Sequence, residues 1–498
     1  MSFFRPSRRA ATTALVAGSV SVLALSACAP DLGPMAQIRP ATDYAVERSL
    51  GAPTMSPWPG QDWWQAYNDP QLTILIEEAL KGSPDLKAAA ARVRQAQARS
   101  EQAGAALLPS VTTNGNIKAT AVRLNVEGIP ASVKDVLPND WQPMTQIGAN
   151  IDYQVDFFGK NHAAVAAASS QARAAEFELA AARLQISTAV ASAYADLLRL
   201  TADRAAAVQA VRVRGDSLQL VSDRLKNGLE NQGQLAQSSA ERNISEGDVA
   251  ALDERIEQSR HQLAALVGKG PDRGLDIVVD PKNVSLPFGL PSNVAADLIG
   301  RRPDVAAARL RVEAAAARIK VARADFYPNV SITGSLLDLS LTPQDILTHN
   351  IILAQVGPAI SLPIFQGGRL KGAYRGAAGE YEEAVANYDK AVVQGLKDVA
   401  DAVSAQKAIA IQLGFARQAS ADSEKAYELA NMRYKGGLSP YLLVLTAETT
   451  LLRQRQALAD LQVQTLVANV ALVRALGGGF TDDKTASNAS NVKGPSHG

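Results

Sequence analysis

Four segments of the chain alternate between apolar and polar residues, which is the period of a β-strand whose two faces differ. They predict strands at residues 111–121, 146–157, 329–335 and 352–362. In the second segment Ile147 and Ile151 share one face, and Asn150 lies on the other. Pro358 interrupts the fourth, so its ladder is predicted to be less regular. Each segment is about as long as a tilted membrane strand, but alternation alone leaves a membrane sheet and a soluble sheet with one wet face equally open.

Two far longer segments lack proline and are rich in Ala, Leu, Gln, Glu and Arg, which are good helix formers. They predict helices of 67 residues from Lys160 to Lys226 and from Arg369 to Lys435. At 1.5 Å per residue such a helix is roughly 100 Å long, whereas a typical helix has about three turns. This length and alanine content favour a coiled coil or a helical barrel. Each long helix is followed by a glycine turn and a second helix, which ends near Val267 or near Leu476.

The chain contains an internal repeat. Residues 84–115 match residues 303–334 at a constant shift of 219, and both copies read as a helix followed by a strand. The first glycine turn, Arg224-x3-Gly228-Leu229, matches the second, Arg433-x3-Gly437-Leu438, at a shift of 209. A repeat of this kind determines the architecture, because each half contributes the same set of elements. The predicted organisation is a signal peptide at 1–27, a lipidated tether at 28–60, a first repeat at 61–270, a linker at 271–291, a second repeat at 292–479 and a disordered tail at 480–498.

The start of the chain has the order of features that bacterial lipoprotein export requires. Three arginines precede the apolar run 10–25, and Leu25-Ser26-Ala27-Cys28 resembles a lipobox. We therefore expect cleavage before Cys28 and lipidation of its thiol. Cys28 is the only cysteine, which excludes a disulfide within the chain and any metal site built from several thiolates. Ala29, in place of the aspartate that often retains lipoproteins at the inner membrane, favours the outer membrane.

Composition and motifs argue against several classes of function. The formal net charge is +1, and cleavage would change it to −2 because three arginines are lost, so there is no basic excess for nucleic acid. The four histidines have neither metal-ligand spacing nor a nucleophile motif nearby. Gly477-Gly478-Gly479 follows a helix and does not open one, which is not the arrangement of a phosphate-binding loop. We expect no enzymatic activity, no cofactor and no metal.

Four strands cannot close a barrel, and open strand edges inside a bilayer leave backbone groups unpaired at several kcal/mol each. The lipoprotein signal and the absence of a second long apolar run favour strands in a membrane. Three chains would supply twelve strands, enough for an aqueous lumen. The predicted fold class is an α+β membrane protein: internally duplicated long α-helical hairpins forming an α-barrel, plus four transmembrane β-strands per chain, with a trimer forming a 12-stranded β-barrel.

Four motifs carry a family resemblance. They are Trp64-Gln65-Ala66-Tyr67-Asn68-Asp69-Pro70, Arg301-Arg302-Pro303-Asp304-Val305, Ala324-Asp325-Phe326-Tyr327-Pro328 and Leu362-Pro363-Ile364-Phe365-Gln366-Gly367-Gly368-Arg369. The chain resembles TolC-type outer-membrane factors, in particular the outer-membrane lipoproteins of RND efflux systems, the NodT-like group. The resemblance implies a passive trimeric conduit for small amphipathic compounds, with an equatorial region near residues 268–300. Its implied partners are outer-membrane lipid, a periplasmic adaptor protein and an inner-membrane pump.

Two other functions remain open at this point. An exit duct for type I polypeptide secretion would share the fold, although lipoprotein status favours small-molecule efflux. A periplasmic coiled-coil lipoprotein with a structural role is the other candidate, and the four strand segments argue against it.

The resemblance also implies sites at the ends of the helical hairpins. The predicted adaptor-docking residues are Arg224, Gly228, Leu229, Arg433, Gly437, Leu438, Ser439, Leu442 and Val444. The first turn continues with residues 230–233 and is expected to be two residues longer than the second, which argues against symmetric docking. Thr446 and Glu448 lie where relatives often carry an acidic ring at the pore gate. The alternative for Glu448 is a solvated helix face.

Overall fold

The computed structural model describes residues 30–40, 43–50, 56–120, 141–279, 287–291, 298, 300–340 and 351–482. The predicted signal peptide, Cys28 and residues 483–498 of the predicted tail lie outside these residues. The helices and strands are α1 (Pro70–Gly82), α2 (Pro84–Ala105), β1 (Ser110–Thr120), β2 (Gln142–Val155), α3 (Lys160–Lys226), α4 (Gln232–Leu266), α5 (Pro303–Ala324), β3 (Asn329–Ser340), β4 (Ile351–Ser361), α6 (Arg369–Lys435) and α7 (Tyr441–Ala475). Short helices lie at Glu47–Leu50 and Asp272–Leu275, and a 3₁₀ helix at Trp63–Tyr67.

The helices confirm the internal repeat and the predicted bounds of the two long helices. α3 and α6 have 67 residues each. α4 and α7 have 35 each, and both end one residue before the predicted position. α2 and α5 have 22 each. The shift between the repeats is 219 from α2 to α5 and 209 from α3 to α6. The difference arises in the strand-bearing segment between these helices, so the helical hairpins themselves are equal in length.

Local sequence signals explain where the helices begin. Asp69 caps α1, since its side chain accepts hydrogen bonds from the backbone N–H groups of Gln71 and Leu72, and Pro70 occupies the first helical position. Asn231 begins α4 through a capping box: its side chain accepts from the Gln234 N–H, and the Gln234 side chain accepts from the Asn231 N–H.

The chain forms two compact units, and each unit contains parts of both repeats. One comprises Met1–Gln37, Arg94–Arg173 and Leu310–Ala386, and holds the sheet. The other comprises Ile38–Val93, Ala174–Arg309 and Asn387–Gly498, and holds both helical turns. The two repeats are therefore interleaved between the two units.

The sheet has the order β1-β2-β3-β4, and all three pairings are antiparallel. β2 and β3 are longer than predicted, while β1 and β4 lie within one residue of the predicted bounds. Pro358 pairs with Ile332 inside β4. This proline is tolerated because β4 is an edge strand of the sheet, where a residue without an N–H group can face away from the neighbouring strand.

The larger unit has an aromatic and aliphatic core. Trp63, Trp64 and Tyr67 are buried against one another in edge-to-face contacts, and Tyr194 of α3 and Val470 of α7 belong to the same cluster. The Tyr67 hydroxyl donates to Asn469 at 2.7 Å, and the Tyr194 hydroxyl donates to the α1 cap Asp69 at the same distance. The motif that begins at Trp64 is therefore a packing motif that joins α1 to α3 and α7.

Three glycines explain why α7 ends where it does. Gly477, Gly478 and Gly479 have φ values of 90°, 58° and 83°, which favour glycine. A Cβ atom would lie 2.0 Å from the Arg301 carbonyl oxygen at Gly477 and 2.2 Å from Leu184 Cδ1 at Gly478. The glycine run is required by a turn packed tightly against its neighbours.

Candidate functional site: helical turns and buried charges

The two helical turns have the same length and the same backbone geometry. Each spans five residues, 227–231 between α3 and α4 and 436–440 between α6 and α7. The prediction that the first turn is two residues longer is therefore wrong. The cause is Asn231, whose capping box begins α4 at Gln232 and thereby places residues 232–233 inside the helix.

Both turns close with a Schellman motif. Gly228 and Gly437 each have φ of 72°. The Leu229 N–H donates to the Arg224 carbonyl at 2.9 Å, and the Leu438 N–H donates to the Arg433 carbonyl at 2.8 Å. This geometry turns the leucine after each glycine outward, and Leu229 and Leu438 are 62% and 75% exposed. The glycines set the turn, and the leucines form its surface.

The remaining predicted docking residues divide into exposed and buried groups. Arg433 and Leu442 are exposed, and Ser439 is half-buried. Val444 is buried in a cluster with Val221, Tyr434, Tyr441 and Leu445. Val444 therefore supports the second turn from inside and presents no side chain to a partner.

Arg224 is engaged within the chain. Its Nη1 donates to the Tyr434 carbonyl oxygen at 3.2 Å, its guanidinium lies over the Tyr434 ring, and its Nε lies 3.6 Å from Glu230 Oε1. The Tyr434 hydroxyl donates to Glu230 at 2.8 Å. Burial and the nearby Glu230 raise the pKa of Tyr434, so the hydroxyl keeps its proton. These contacts tie the end of α3 to the end of α6.

Glu448 is buried, with 1% of its surface exposed, so the alternative of a solvated helix face is wrong. Its carboxylate accepts a hydrogen bond from Ser217 at 2.9 Å and lies 3.4 Å from Arg214 Nε. Arg214 also contacts Glu241 of α4. Burial raises the pKa of Glu448, although Ser217 and Arg214 favour its charged form. The Glu448 carboxylate therefore links α7 to α3. Thr446 is exposed, and its hydroxyl donates to the Leu442 carbonyl.

A second group of charges, centred on the buried Asp203, could not be predicted from the sequence. Arg199 on α3 donates to Asp203 at 2.9 Å and to Asp196 at 2.8 Å, and lies 3.7 Å from Asp460 on α7. Burial and the charge of Asp460 raise the pKa of Asp203 to about 6. The spacing of Arg199 and Asp203 at i and i+4 is a sequence signal for an ion pair on one helix. No sequence signal places Asp460 beside them.

The sheet has one apolar and one polar face, set by the register of its strands. The apolar face is lined by Val111, Ile117, Ile147, Ile151, Ile332, Leu336, Ile352, Val356 and Ile360, all exposed. On the polar face the Asn150 side chain donates to Asn114 at 2.8 Å. The separation is least regular in β3, where Asp338 lies on the apolar face and Leu337 on the polar one. Exposed aromatic residues lie beyond the strand ends, with Trp141 before β2, Phe157 after it and Phe365 after β4.

None of the described helices combines the length and the hydropathy that a membrane-spanning helix requires.

Comparison with known families decides among the remaining interpretations. Residues 75–269 and 294–478 match the family model described as outer membrane efflux protein. The chain belongs to the outer membrane efflux protein family. Members of this family form trimeric outer-membrane channels of the TolC type, and the chain is accordingly an outer-membrane channel protein of a tripartite efflux system. Outer-membrane localisation and the α+β fold class predicted from the sequence are thereby confirmed.

Individual relatives support this assignment over most of the chain. The pyoverdine export outer membrane protein OpmQ of Pseudomonas putida is 31% identical over 470 residues, covering 93% of this chain and 96% of that protein. The fusaric acid resistance protein FusA of Burkholderia cepacia is 36% identical over 337 residues, and the match spans 67% of this chain and 61% of that longer relative. The crystal structure of the outer membrane protein VceC from Vibrio cholerae superposes with a TM-score of 0.78 at 39% identity, covering 85% of this chain and 100% of VceC.

Proposed function

We propose that three copies of this chain form a passive conduit that carries small amphipathic compounds across the outer membrane. The observation that carries the proposal is the sheet, which has an exposed apolar face, a polar face, and edge strands β1 and β4 that are joined only to β2 and β3 within the described chain. Such a sheet satisfies its backbone groups in lipid only when neighbouring copies pair with both edges. Three sheets give twelve strands, with apolar residues toward lipid and polar residues toward the lumen.

The aromatic residues beyond the strand ends support a position of the sheet in the bilayer. Trp141 is 76% exposed, and Phe157 and Phe365 are 69% and 88% exposed at the opposite end. Aromatic side chains favour the two interfaces of a membrane, since their rings are apolar and polarisable and tolerate partial hydration. We propose that Cys28, lipidated after cleavage, anchors the chain in the same membrane. Residues 28–60 would then form the tether between the lipid and the first repeat.

We further propose that the two helical turns dock onto a periplasmic adaptor protein and that an inner-membrane pump supplies the energy. Leu229 and Leu438 on the two glycine turns, and Leu442 in the first turn of α7, offer exposed aliphatic side chains, which is typical of a surface that contacts another protein. Glu448, with Arg214 and Ser217, holds α7 against α3, and opening of the periplasmic end would require this link to change. In this proposal the channel itself has no catalytic role.

Two measurements on the intact protein test the proposal. Purified protein in mild detergent should have the mass of a trimer and migrate differently on gels before and after heating; a monomer with no β-sheet signal would exclude the channel. Deletion of the gene should increase sensitivity to amphipathic toxicants while leaving the secreted proteome unchanged. Loss of one secreted polypeptide with normal tolerance would instead support a duct for polypeptide secretion.

A further inference from the structure

The two long helices begin in the same way in both repeats. At the shift of 209 that relates α3 to α6, Lys160 corresponds to Arg369 and His162 corresponds to Lys371. Each helix thus carries a basic residue at its first and third positions. Because the two copies share this pattern, a comparison of their surroundings shows what is particular to each.

In the first copy both basic residues have acidic partners. Lys160 Nζ lies 2.7 Å from Asp325 Oδ1, and His162 Nδ1 lies 2.7 Å from Asp156 Oδ2. The same Asp156 oxygen accepts a hydrogen bond from the His162 backbone N–H at 2.9 Å. This contact places a carboxylate at the positive end of the α3 dipole. The start of α3 is therefore neutralised within the chain.

The second copy has cations without acids. Phe365 occupies the position of the capping aspartate, and residues 362–375 contain no Asp or Glu. Arg369, Lys371 and Arg375 are exposed, and none of them forms an ion pair within the part of the chain that the structure describes. Cations in the first turn of a helix oppose its dipole, so this helix start is unfavourable unless an anion from outside the chain approaches it.

The other charges near the start of α6 do not supply that anion. Asp156 and Asp325 line a cavity of about 230 Å³ beside Arg369, and both acids are engaged by the first copy. The first acid along α6 is Glu380, which is about 16 Å from Arg369 at 1.5 Å per residue and lies 3.5 Å from Arg318. The basic residues at the start of α6 therefore form an exposed surface whose charge is not balanced by its neighbours.

The segment before α6 is apolar and exposed. Ile360, on the apolar face of β4, is followed by Ile364 and Phe365, which are 91% and 88% exposed. Arg369 comes next, and its Nε donates to Gln366 Oε1 at 3.0 Å. The order along the chain is thus an apolar strand, an apolar loop and a basic helix start. This order suits a chain that leaves a bilayer, because the headgroup layer outside the acyl chains is only about 5–8 Å thick.

We propose that the start of α6 binds the phosphate groups of anionic phospholipids. Arg369 and Lys371 are the phosphate ligands, and Ile364 and Phe365 insert among the acyl chains. The inference rests on the proposed position of the sheet in the outer membrane. Apolar insertion and attraction to anionic lipid act together in interfacial segments, and each basic residue near such a surface contributes about fivefold to binding. The planar guanidinium of Arg369 suits a phosphate in particular.

Native mass spectrometry of the full-length protein in a neutral detergent tests this site. Delipidated protein is incubated with equal amounts of palmitoyl-oleoyl phosphatidylglycerol and palmitoyl-oleoyl phosphatidylcholine, which share acyl chains and differ in net charge. We expect the trimer to retain phosphatidylglycerol with a preference of at least about tenfold, since two cations contribute about fivefold each. Arg369→Gln combined with Lys371→Gln should remove this preference.

Two further variants separate the site from a general effect of charge. Gln366→Glu keeps both cations and places a carboxylate where Gln366 already accepts from Arg369, so the preference should fall about fivefold, the contribution of one cation. Lys425→Gln removes an exposed cation far along the same helix and should leave the preference unchanged.

Equal retention of the two lipids by the unaltered trimer would overturn the site. An unchanged preference in the double variant, or an equal loss in Lys425→Gln, would overturn it as well. The same spectra report the mass of the assembly. A trimer without lipid preference therefore contradicts only the lipid site, whereas a monomer contradicts the conduit on which the site rests.

Discussion

The guanidinium of Arg224 and the ring of Tyr434 connect the two helical turns. The central carbon of the guanidinium lies 4.6 Å from the ring centroid, and Nη1 donates to the Tyr434 carbonyl oxygen. A hydrogen bond and a cation–π contact thus act between the same two residues, and Glu230 neutralises the arginine from the side of the first turn. The ends of α3 and α6 are therefore held together by polar and charged contacts in addition to apolar packing.

Tyr434→Phe should loosen this connection without removing the ring. The variant loses the hydroxyl that donates to Glu230, which should lower the free energy of unfolding by about 1.5–3 kcal/mol, the usual range for a hydrogen bond to a charged group. Arg224→Ala should cost more, since it removes the hydrogen bond, the ring contact and the ion pair together. Denaturant unfolding measures both changes, and equal stability of Arg224→Ala and the unaltered protein would show that the connection is not formed.

Glu448 should make stability depend on pH. Burial raises its pKa above 4.5, so the folded protein holds this proton more tightly than the unfolded chain does. The contribution of Glu448 to the free energy of unfolding is therefore greatest below pH 4.5 and falls as the pH rises through the raised value. Glu448→Gln should remove this part of the pH dependence, which unfolding at a series of pH values would detect.

Glu448→Ala provides the contrasting change. It leaves Arg214 half-buried with Glu241 as its remaining carboxylate partner and opens a void beside Ser217. We expect a loss of about 3 kcal/mol, within the range for breaking one side of a buried ion pair. Glu448→Gln at neutral pH should cost less than Glu448→Ala; the reverse order would contradict the assigned environment.

Two glycine substitutions should have opposite effects. Gly477→Ala places a Cβ 2.0 Å from the Arg301 carbonyl oxygen at a position with φ of 90°, so it should destabilise the protein by more than 2 kcal/mol, on the order expected for a clash combined with backbone strain. Gly414→Ala, inside α6 with open space around it, should stabilise the protein by up to about 1 kcal/mol. Thermal unfolding of both variants measures the difference.

The apolar face of the sheet predicts how two neighbouring substitutions in β4 differ. Val356→Lys places a charge on the apolar face at a residue that is 82% exposed, and it should cost about 2–4 kcal/mol if that face contacts lipid near the bilayer centre. Gln355→Lys places the same charge on the polar face and should be tolerated. The yield of heat-modifiable trimer in the outer membrane compares them, and similar yields would argue against lipid contact at Val356.

The exposed leucine of the second turn should be important for docking. Leu438→Asp replaces an aliphatic side chain that is 75% exposed with a charge, and it should weaken capture of the cognate adaptor by at least about tenfold if Leu438 is an interface anchor. Ile74→Asp, an exposed apolar position on α1, is a matched control that should retain capture. Unaltered capture by Leu438→Asp would move the docking surface away from this turn.

Much of the fold could be predicted because its signals are local. The ends of α3 and α6 are marked by Lys226-Asn227-Gly228 and by Lys435-Gly436-Gly437, where a glycine with positive φ terminates the helix. Strand alternation placed β1 and β4 within one residue. The first turn is shorter than predicted because Gln232 and Gly233 read as loop, whereas the reciprocal hydrogen bonds of Asn231 and Gln234 begin α4 at Gln232.

The surroundings of the buried acids Asp203 and Glu448 could not be predicted, because they depend on which helices pack against each other. Asp203 and Asp460 are 257 positions apart in the chain, and each is an ordinary polar residue of a long helix. The sequence predicts a gate or a solvated face for Glu448, since it does not show that Ser217 and Arg214 lie opposite it. Which helices lie next to each other is set by the packing of the whole unit. The helical period of the sequence shows only which face of each helix is apolar.

The equal lengths of the duplicated helices impose a rule on how this protein can change. α3 matches α6, and α4 matches α7, residue for residue in number. A heptad inserted into one hairpin would carry its turn about 10 Å beyond the other and would separate Arg224 from Tyr434. The protein can therefore become longer or shorter only by paired insertions or deletions at corresponding positions of both repeats. The distance that the hairpins span is thus encoded twice in the sequence, and each copy constrains the other.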